Sequence, residues 1–503
     1  MLQTDAGILQ GLEKVESHLQ KGKPTLTLSD AASVTGYHID DAKKVMEGMM
    51  AKYHTRLLVT ENGDLIYDFG SYLHRRGERT WAEWWRGAKK TLWKVFVWVF
   101  KAWITVTLVV YFTIFLLILI AALVAMMSAN KDGDNSKSSG GIGELIGALF
   151  RSIFIWDTVT QHQYQSTDSR GYTYRNYQPR PALLGKKTDK PSKNFVASVY
   201  DFVFGPPHYE PSPLANQQEV ASFLRENRGV ITTSEIIGLA GWKVEEAELF
   251  MGDCLARFKG EVRLTDEGVL YGDFEEMTRS KLEKGRRKIE WYWDEYEAPY
   301  QLTGNSAGRN ALIIFMNLFN LSFASFFLYI TQAGDADMLP ILVGLGYVPF
   351  TFSAIFFGLP LYRSFQVSRL NERRRQNNRR KRLMKIIFQF HQRSLNAEER
   401  MALEKAGQAP RPEDMAQYRL TAAQLTTLVN LNAKEEKLSL AEVETLMKDL
   451  LPNLWGEMDS DLDTMTNYYR FPRLAEEVSK IHKVRQNRLD SGNLGEIVMD
   501  TDN

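Results

Sequence analysis

The chain has 503 residues, more than one hydrophobic core supports, so several structural units are expected. Its 62 Lys and Arg residues nearly balance its 61 Asp and Glu residues, and the net charge of +1 favours neither nucleic acid nor an acidic substrate as partner of the whole molecule. The single cysteine, Cys254, excludes an intramolecular disulfide and leaves no ligands for a cysteine-ligated metal or iron–sulfur site within one chain.

The first predicted unit, residues 1–75, combines a lead-in helix with a small module. The lead-in helix places Ile8, Leu12 and Val15 on one face. Residues 29–69 of the module reappear 205 positions later, without a gap, as residues 234–274, and ten of the 41 aligned positions are identical. A gapless repeat of this length indicates two copies of one module.

The second copy lies within residues 206–280 and shows the predicted elements clearly. A short helix ends at Gly241, and a second helix opens on Glu245 and Glu246, which suit its positive N-terminal end. Residues 262–264 alternate as a strand, and a turn leads into the returning strand. Helix, turn, helix and a two-stranded wing predict a winged-helix-like α+β module. A third, degenerate copy is predicted within residues 401–480, in a register that requires gaps.

The pattern of residues 76–130 predicts an interfacial helix followed by the first transmembrane helix. Tryptophans mixed with Arg and Lys are typical of the headgroup level. No charged residue occurs from residue 102 to residue 130, and residues 105–127 are long enough to span a bilayer. Residues 131–205 are interpreted as a polar loop, an interfacial or re-entrant helix at 142–159 and a tyrosine-rich linker.

Two further spans are predicted as a helical hairpin over residues 310–362, preceded by a charged aromatic helix over residues 281–309. Asn310, Asn317 and Asn320 in the first arm are interpreted as hydrogen-bonding groups between helices. No Asp, Glu, Lys, Arg or His lies inside the three spans, which disfavours an ion-coupled transporter. The tail, residues 481–503, is predicted to be disordered.

A basic juxtamembrane helix is predicted over residues 363–400. Such a cluster fixes the cytoplasmic side of the adjacent span, and it attracts anionic lipid headgroups at about 1 kcal/mol per charge. The ten residues with this topogenic and lipid-binding role are Arg363, Arg369, Arg373, Arg374, Arg375, Arg379, Arg380, Lys381, Arg382 and Lys385.

Three spans do not place all the modules on one side of the membrane. We expect the modules to be cytoplasmic, with residues 142–159 taking part in the return of the chain, in a multi-pass protein of the bacterial inner membrane. The alternatives are that residues 93–127 enter the membrane without crossing it, or that one module lies outside.

The chain resembles an uncharacterised family of membrane proteins from bacteria, cyanobacteria and plant plastids. The resemblance rests on residues 59–69, on residues 469–472 and on residues 195–205 ahead of the second module, and the likeness covers about two thirds of the chain. Some plastid members carry names that imply iron–sulfur cluster assembly, for which Cys254 alone gives no chemical support. The resemblance implies an architecture and no established activity.

No catalytic, metal-binding or cofactor-binding residue is predicted, and the protein is not expected to be an enzyme, because the phosphate-loop, zinc-hydrolase and nucleophile-elbow motifs do not occur. The preferred hypothesis is a membrane-anchored interaction scaffold, whose acidic modules bind one another or a protein partner, with Glu245, Glu246 and Glu248 as partner-binding residues. An oligomeric channel or transporter component is the alternative. A membrane-tethered DNA-binding regulator is disfavoured, because residues 217–275 hold six basic against twelve acidic residues.

Overall fold

The computed structural model describes residues 5–20, 24–70, 72–77, 81–129, 194–206, 214–281, 289–295, 297, 299–330, 339–431, 433, 437–461, 466–488 and 494–501. In this part of the chain the protein is mostly helical, with small antiparallel sheets. Three helices are long and apolar enough to cross a membrane.

Module one follows the lead-in helix. Its elements are α1 (Asp5–Leu19), β1 (Thr25–Thr27), α2 (Leu28–Thr35), α3 (Ile39–Lys52), β2 (Arg56–Thr60) and β3 (Leu65–Asp68). The Thr27 side chain accepts a hydrogen bond from the Asp30 backbone N–H and so caps α2. Gly36 ends α2 in the left-handed region, with φ of 75°, where glycine has no steric penalty.

The chain then leaves the module as α4 (Trp81–Ala129) and resumes as the short apolar helix α5 (Phe195–Phe204). Module two consists of α6 (Ala215–Glu226), β4 (Val230–Ile231), α7 (Thr233–Ala240), α8 (Val244–Arg257), β5 (Glu261–Leu264) and β6 (Leu270–Asp273).

Two long helices follow, α9 (Ala307–Ile330) and α10 (Leu339–Arg393), the second of which contains a π-helical turn, Leu342–Tyr347. The remaining elements are α11 (Ala397–Lys405), α12 (Pro412–Ala416), β7 (Arg419–Thr421), α13 (Ala422–Leu431), α14 (Leu440–Asn453), β8 (Glu457–Asp461), β9 (Thr466–Arg470), α15 (Pro472–Asn487) and β10 (Ile497–Asp500). The elements from β7 to β9 form module three.

The three modules share one element order and one strand order. The sheets run β1-β3-β2-β10, β4-β6-β5 and β7-β9-β8, so the second hairpin strand always lies between the first strand of the module and the first hairpin strand. The helix that follows the first strand of each module is capped by a threonine whose partner lies three residues later: Thr27 with Asp30, Thr232 with Glu235 and Thr421 with Gln424. Each module ends in a buried phenylalanine: Phe69, Phe274 and Phe471.

One hydrophobic core joins the modules. It includes Met46 of module one, Phe258 of module two, Phe388 of α10 and Met447 of module three. A second core lies among α4, α5, α9 and α10, around Leu108, Ile313 and Phe356. The modules therefore lie together at one end of the helical bundle.

The prediction of a charged aromatic helix over residues 281–309 is wrong for the residues that the structure describes there. The chain there has a short 3₁₀ turn at Tyr292–Asp294 and extended backbone around it, before α9 begins. Trp291 and Trp293 stack on each other with ring centroids 5.1 Å apart, and Trp293 contacts Phe388. A helix would point residues two apart in different directions, whereas both indoles pack into the core.

The tail expected to be disordered, residues 481–503, also carries structure. Helix α15 continues to Asn487, and β10 pairs antiparallel with the outer edge of β2. Exposed edge backbone groups favour such strand addition. Residues 489–493, 502 and 503 lie outside the described residues.

Two predicted helix boundaries do not occur. The interfacial helix and the first span form the single helix α4, and the second hairpin arm and the basic helix form the single helix α10. At about 1.5 Å per residue, α4 extends over about 70 Å, more than twice a hydrocarbon core. The prediction for residues 142–159 lies outside the described residues.

Two contacts give the position of α5 beside α4. The Lys101 ammonium group lies 4.4 Å from the Tyr200 ring centroid, and Phe100 contacts Phe204, so α5 packs beside the module end of α4.

Candidate functional site

The part of α10 from Arg363 to Lys385 carries the ten predicted basic residues, and the structure divides eight of them into two groups. One group faces the protein and includes Arg363, Arg374, Arg379, Lys381 and Lys385. The other group, Arg369, Arg373 and Arg375, is exposed to solvent. Arg380 and Arg382 are half-buried. The predicted lipid-binding role therefore fits the exposed group best, and it stays a prediction.

Lys381 is the most buried member of the inward group, with 4% of its surface exposed. Its ammonium group forms an ion pair with Glu297 at 3.1 Å and donates a hydrogen bond to the Glu295 carbonyl at 2.9 Å. It also lies 4.3 Å from the centroid of the Tyr292 ring. These three interactions compensate for the loss of water around the charge.

Two asparagines on the same face of α10 bind the extended segment that precedes α9. The Asn378 side chain accepts from the Glu297 N–H and donates to the Glu297 carbonyl, both at 3.2 Å. Asn371 makes the same pair of bonds with Tyr300, at 2.8 and 3.0 Å. Sequence reasoning missed these residues; the signal was two asparagines seven positions apart, about two helical turns, inside a basic run.

Arg363 lies where α5 meets α10, at the module end of the bundle. Its guanidinium donates to the Val203 carbonyl at 3.3 Å. The guanidinium occupies the space beside Gly205, since a Cβ at that position would lie 1.8 Å from Nη2. Nearby, the buried Arg309 donates to the Ser198 hydroxyl at 3.0 Å. Arg363 therefore joins helices here, which competes with its predicted role in lipid binding.

The basic half of α10 also contacts α14 of module three. Arg379 and Glu442 form an ion pair at 3.0 Å. Beside this pair, a groove of about 640 Å³ separates the two helices, and its lining includes Arg380, Thr445 and Asp449. Because both charge signs line the groove, it does not favour a simple anion or cation as ligand.

The modules are joined by polar contacts as well as by the core. Between modules one and two, Ser29 donates to the Glu276 carbonyl at 2.6 Å, and Lys259 pairs with Asp40 at 2.9 Å. Between α15 and module two, Glu477 accepts from the Ser234 N–H at 3.0 Å. Burial raises the pKa of Glu477 despite its hydrogen-bond partners. Contacts within the chain therefore occupy part of the surface of modules one and two.

The predicted partner-binding residues Glu245, Glu246 and Glu248 lie in the first turns of α8, and all three are exposed. Glu246 accepts a hydrogen bond from the Lys243 N–H at 3.3 Å, so it caps the helix. Glu248 lies 3.9 Å from Arg473, and this pair is exposed. Glu245 and Glu248 thus lie on one exposed helix face, where Glu248 also pairs with Arg473.

Sequence reasoning missed the apolar residue that follows these acids. Leu249 is 78% exposed, although it lies near the middle of α8. One turn later on the same face, a Cβ at Gly252 would have no atom within 4 Å, and Ala256 is exposed beyond it. The sequence did contain a signal for it. Leu249 is apolar but does not share the helical spacing of the buried residues Ala247, Met251 and Cys254.

The described residues contain no group of three His, Cys, Asp or Glu side chains placed to hold a metal ion. Cys254 is fully buried, and burial raises the pKa of its thiol above the usual range, which disfavours the reactive thiolate. His391 is buried between Tyr418 and Phe471.

Comparison with known proteins finds a distant likeness to the uncharacterized chloroplastic protein At5g03900 of Arabidopsis thaliana. The two sequences are 22% identical over 382 residues, which cover 70% of this chain and 68% of the plant protein. No family model matches the chain. No solved structure matches it. The likeness is consistent with the resemblance inferred from sequence, while the iron–sulfur association stays untested.

Proposed function

We propose that the protein is a multi-pass, membrane-anchored interaction scaffold. Its three winged-helix-like modules form one platform beside the bilayer, and the platform binds a protein partner through the outer face of α8. Two observations support the platform. One is the core that joins the modules, and the other is the set of hydrogen bonds between α10 and the segment before α9. A continuous helix that enters both the bundle and the platform fixes the platform relative to the bundle.

The observation that carries the partner-binding proposal is the exposure of Leu249 beside Glu245 and Glu248. An exposed leucine beside small residues gives a partner helix an apolar contact and close approach of the backbones. The flanking carboxylates complement basic side chains. The partner surface that fits is therefore an amphipathic helix with apolar residues and flanking Lys or Arg.

The same face argues against DNA as the partner. Phosphate contacts require a basic surface, and α8 presents Glu245, Glu246 and Glu248 where a DNA-reading helix needs cations. The exposed cations Arg369, Arg373 and Arg375 lie on α10, beside the bundle. We assign these arginines to anionic lipid and to the cytoplasmic side of an inner membrane.

The test is affinity purification of the full chain from native membranes in mild detergent, with mass spectrometry of the bound proteins. We expect a stoichiometric partner with wild type. Glu245→Lys/Glu248→Lys and, separately, Leu249→Ser should each reduce its recovery at least tenfold, because they reverse the charge or remove the apolar contact. Glu246 stays unchanged because it caps α8.

The matched control is Met401→Ser on α11, since Met401 is also strongly exposed, at 61%. This variant should retain the partner. Equal recovery with all variants would overturn the assignment of the α8 face. A complex that contains only copies of this chain would overturn partner binding and favour the channel or transporter alternative, which flux assays would then examine.

A further inference from the structure

Strand β5 is the outer strand of the sheet in module two. The strand order is β4-β6-β5, and no strand of the described residues pairs with the second edge of β5. The equivalent edge in module one is covered, because β10 adds to β2 with Met499 opposite Val59 and Asp500 opposite Leu58. An edge strand is a template for another strand, and module one shows this template in use.

One face of the β5–β6 hairpin is apolar and open to solvent. Val262 is 59% exposed, Leu264 is 61% exposed and Leu270 is 50% exposed. In module one the equivalent residues Leu57 and Val59 are only half-exposed. Exposed aliphatic side chains on a strand edge favour association, since burial of apolar area is favourable.

The other face of β5 carries two opposite charges, Glu261 and Arg263, which lie on either side of Val262 in sequence. Both side chains are exposed, and they approach each other at 3.5 Å. Arg263 also pairs with Asp273 at 3.1 Å. A strand with this pattern is complementary to itself when two copies run antiparallel about Val262, because each Glu261 then lies opposite an Arg263.

We propose that module two binds a second copy of this chain through β5, edge to edge and antiparallel, with a twofold axis at Val262. The two three-stranded sheets then become one sheet of six strands. A register centred on Arg263 would oppose two guanidinium groups, and a register centred on Glu261 would oppose two carboxylates; like charges directly opposite are destabilising. The charge pattern therefore selects one register.

A donated β10 strand from a second copy fits this edge less well. In module one, Asp500 forms an ion pair with Arg56. The residue of module two that aligns with Arg56 in the repeat is Glu261, which would repel Asp500. The self-pairing is also separate from partner binding by α8, because it uses the hairpin strand, so either proposal can fail without the other.

The first experiment is disulfide cross-linking of the full chain in native membranes, in a Cys254→Ala background. Residues directly opposite in an antiparallel pair have Cβ atoms about 4.5–5.5 Å apart, close to disulfide geometry. Val262→Cys should form a covalent dimer under mild oxidation. Leu264→Cys is the matched control, since in this register it faces Gly260 of the second copy and should not cross-link.

The second experiment measures the dimer by native sizing in mild detergent. Glu261→Arg opposes two arginines and Arg263→Glu opposes two glutamates, so each should weaken association at least tenfold. The combined variant, Glu261→Arg/Arg263→Glu, should restore it, because the charges are exchanged and remain complementary. Restoration by the exchange is not expected if either substitution acts only by disturbing the fold of module two.

Three outcomes would overturn the proposal. One is the lack of a covalent dimer with Val262→Cys. Another is failure of the exchanged variant to recover association while its melting temperature matches wild type. The last is loss of the dimer on deletion of residues 494–503, which would identify β10 exchange between copies instead.

Discussion

At the scale of single residues, the phenylalanine that ends modules two and three packs closely against glycines. Phe274 packs against two glycines, since a Cβ at Gly260 would lie 2.5 Å from its ring and a Cβ at Gly272 would lie 2.6 Å from it. In module three, a Cβ at Gly456 would lie 2.6 Å from the Phe471 ring. The ring thus fills the space between helix and hairpin in both modules, and a smaller residue would leave a cavity.

His391 is a buried residue with a consequence for stability. Its Nδ1 lies 2.8 Å from the Ile387 carbonyl, and its ring stacks on Tyr418. Burial lowers the pKa of His391 from 6.5 to about 4. The imidazole is therefore neutral in the folded protein over a range where it is charged in the unfolded chain.

We predict that the stability of the module platform falls as the pH decreases from about 6.5 to about 4. Below pH 6.5 the unfolded chain binds a proton at His391 that the folded chain does not bind, so unfolding becomes easier, by up to about 3 kcal/mol. Melting temperatures of wild type and His391→Asn, measured against pH, should diverge in this window. Parallel curves would contradict the prediction, since the comparison removes effects of other groups such as Glu477.

At the scale of elements, the basic part of α10 has two faces with different roles. In the sequence both faces belong to one run of basic residues. Its inward residues Asn371, Asn378 and Lys381 bind the segment before α9. Its exposed arginines Arg369, Arg373 and Arg375 face solvent, where Arg375 also pairs with Glu372 at 3.1 Å. Charge count alone does not separate the two groups, because the separation depends on which face of the helix meets the protein.

We predict that Lys381→Met lowers the unfolding free energy by about 3 kcal/mol, because it leaves Glu297 and the Glu295 carbonyl without their cationic partner. Replacement of Arg369, Arg373 and Arg375 by Gln should change stability by less than about 0.5 kcal/mol. Melting temperatures in detergent with zwitterionic or anionic lipid provide the measurement. The triple variant should lose the extra stabilisation by anionic lipid, whereas Lys381→Met should retain it; the reverse result would refute this division of α10.

At the scale of the whole molecule, the shared core decides that the modules lie at one end of the bundle. Met46, Phe258 and Met447 belong to different modules and to one hydrophobic cluster. If α4, α9 and α10 cross the membrane, all three modules lie on one side of it. The sequence alone left this open, because three spans place the modules on different sides unless the chain recrosses.

We predict that single cysteines in the three modules are labelled from the same side of the membrane. In a Cys254→Ala background, the exposed residues Lys43, Asp266 and Lys448 are each replaced by cysteine. A membrane-impermeant maleimide should label all three in vesicles of one orientation and none in vesicles of the opposite orientation. Labelling of one module from the other side would contradict the common core.

The sequence by itself determined the repeat, the helices and hairpins of two modules and the position of the long apolar segments, because these follow from short-range periodicity and turn residues. Only the tertiary structure decided the conformation around Trp291. The composition of the segment predicted a helix, whereas packing against the core favours extended backbone. The same holds for β10, whose few residues form a strand only because β2 offers an edge. Long-range pairing and the choice of a buried face depend on residues hundreds of positions apart, and local pattern carries no information about them.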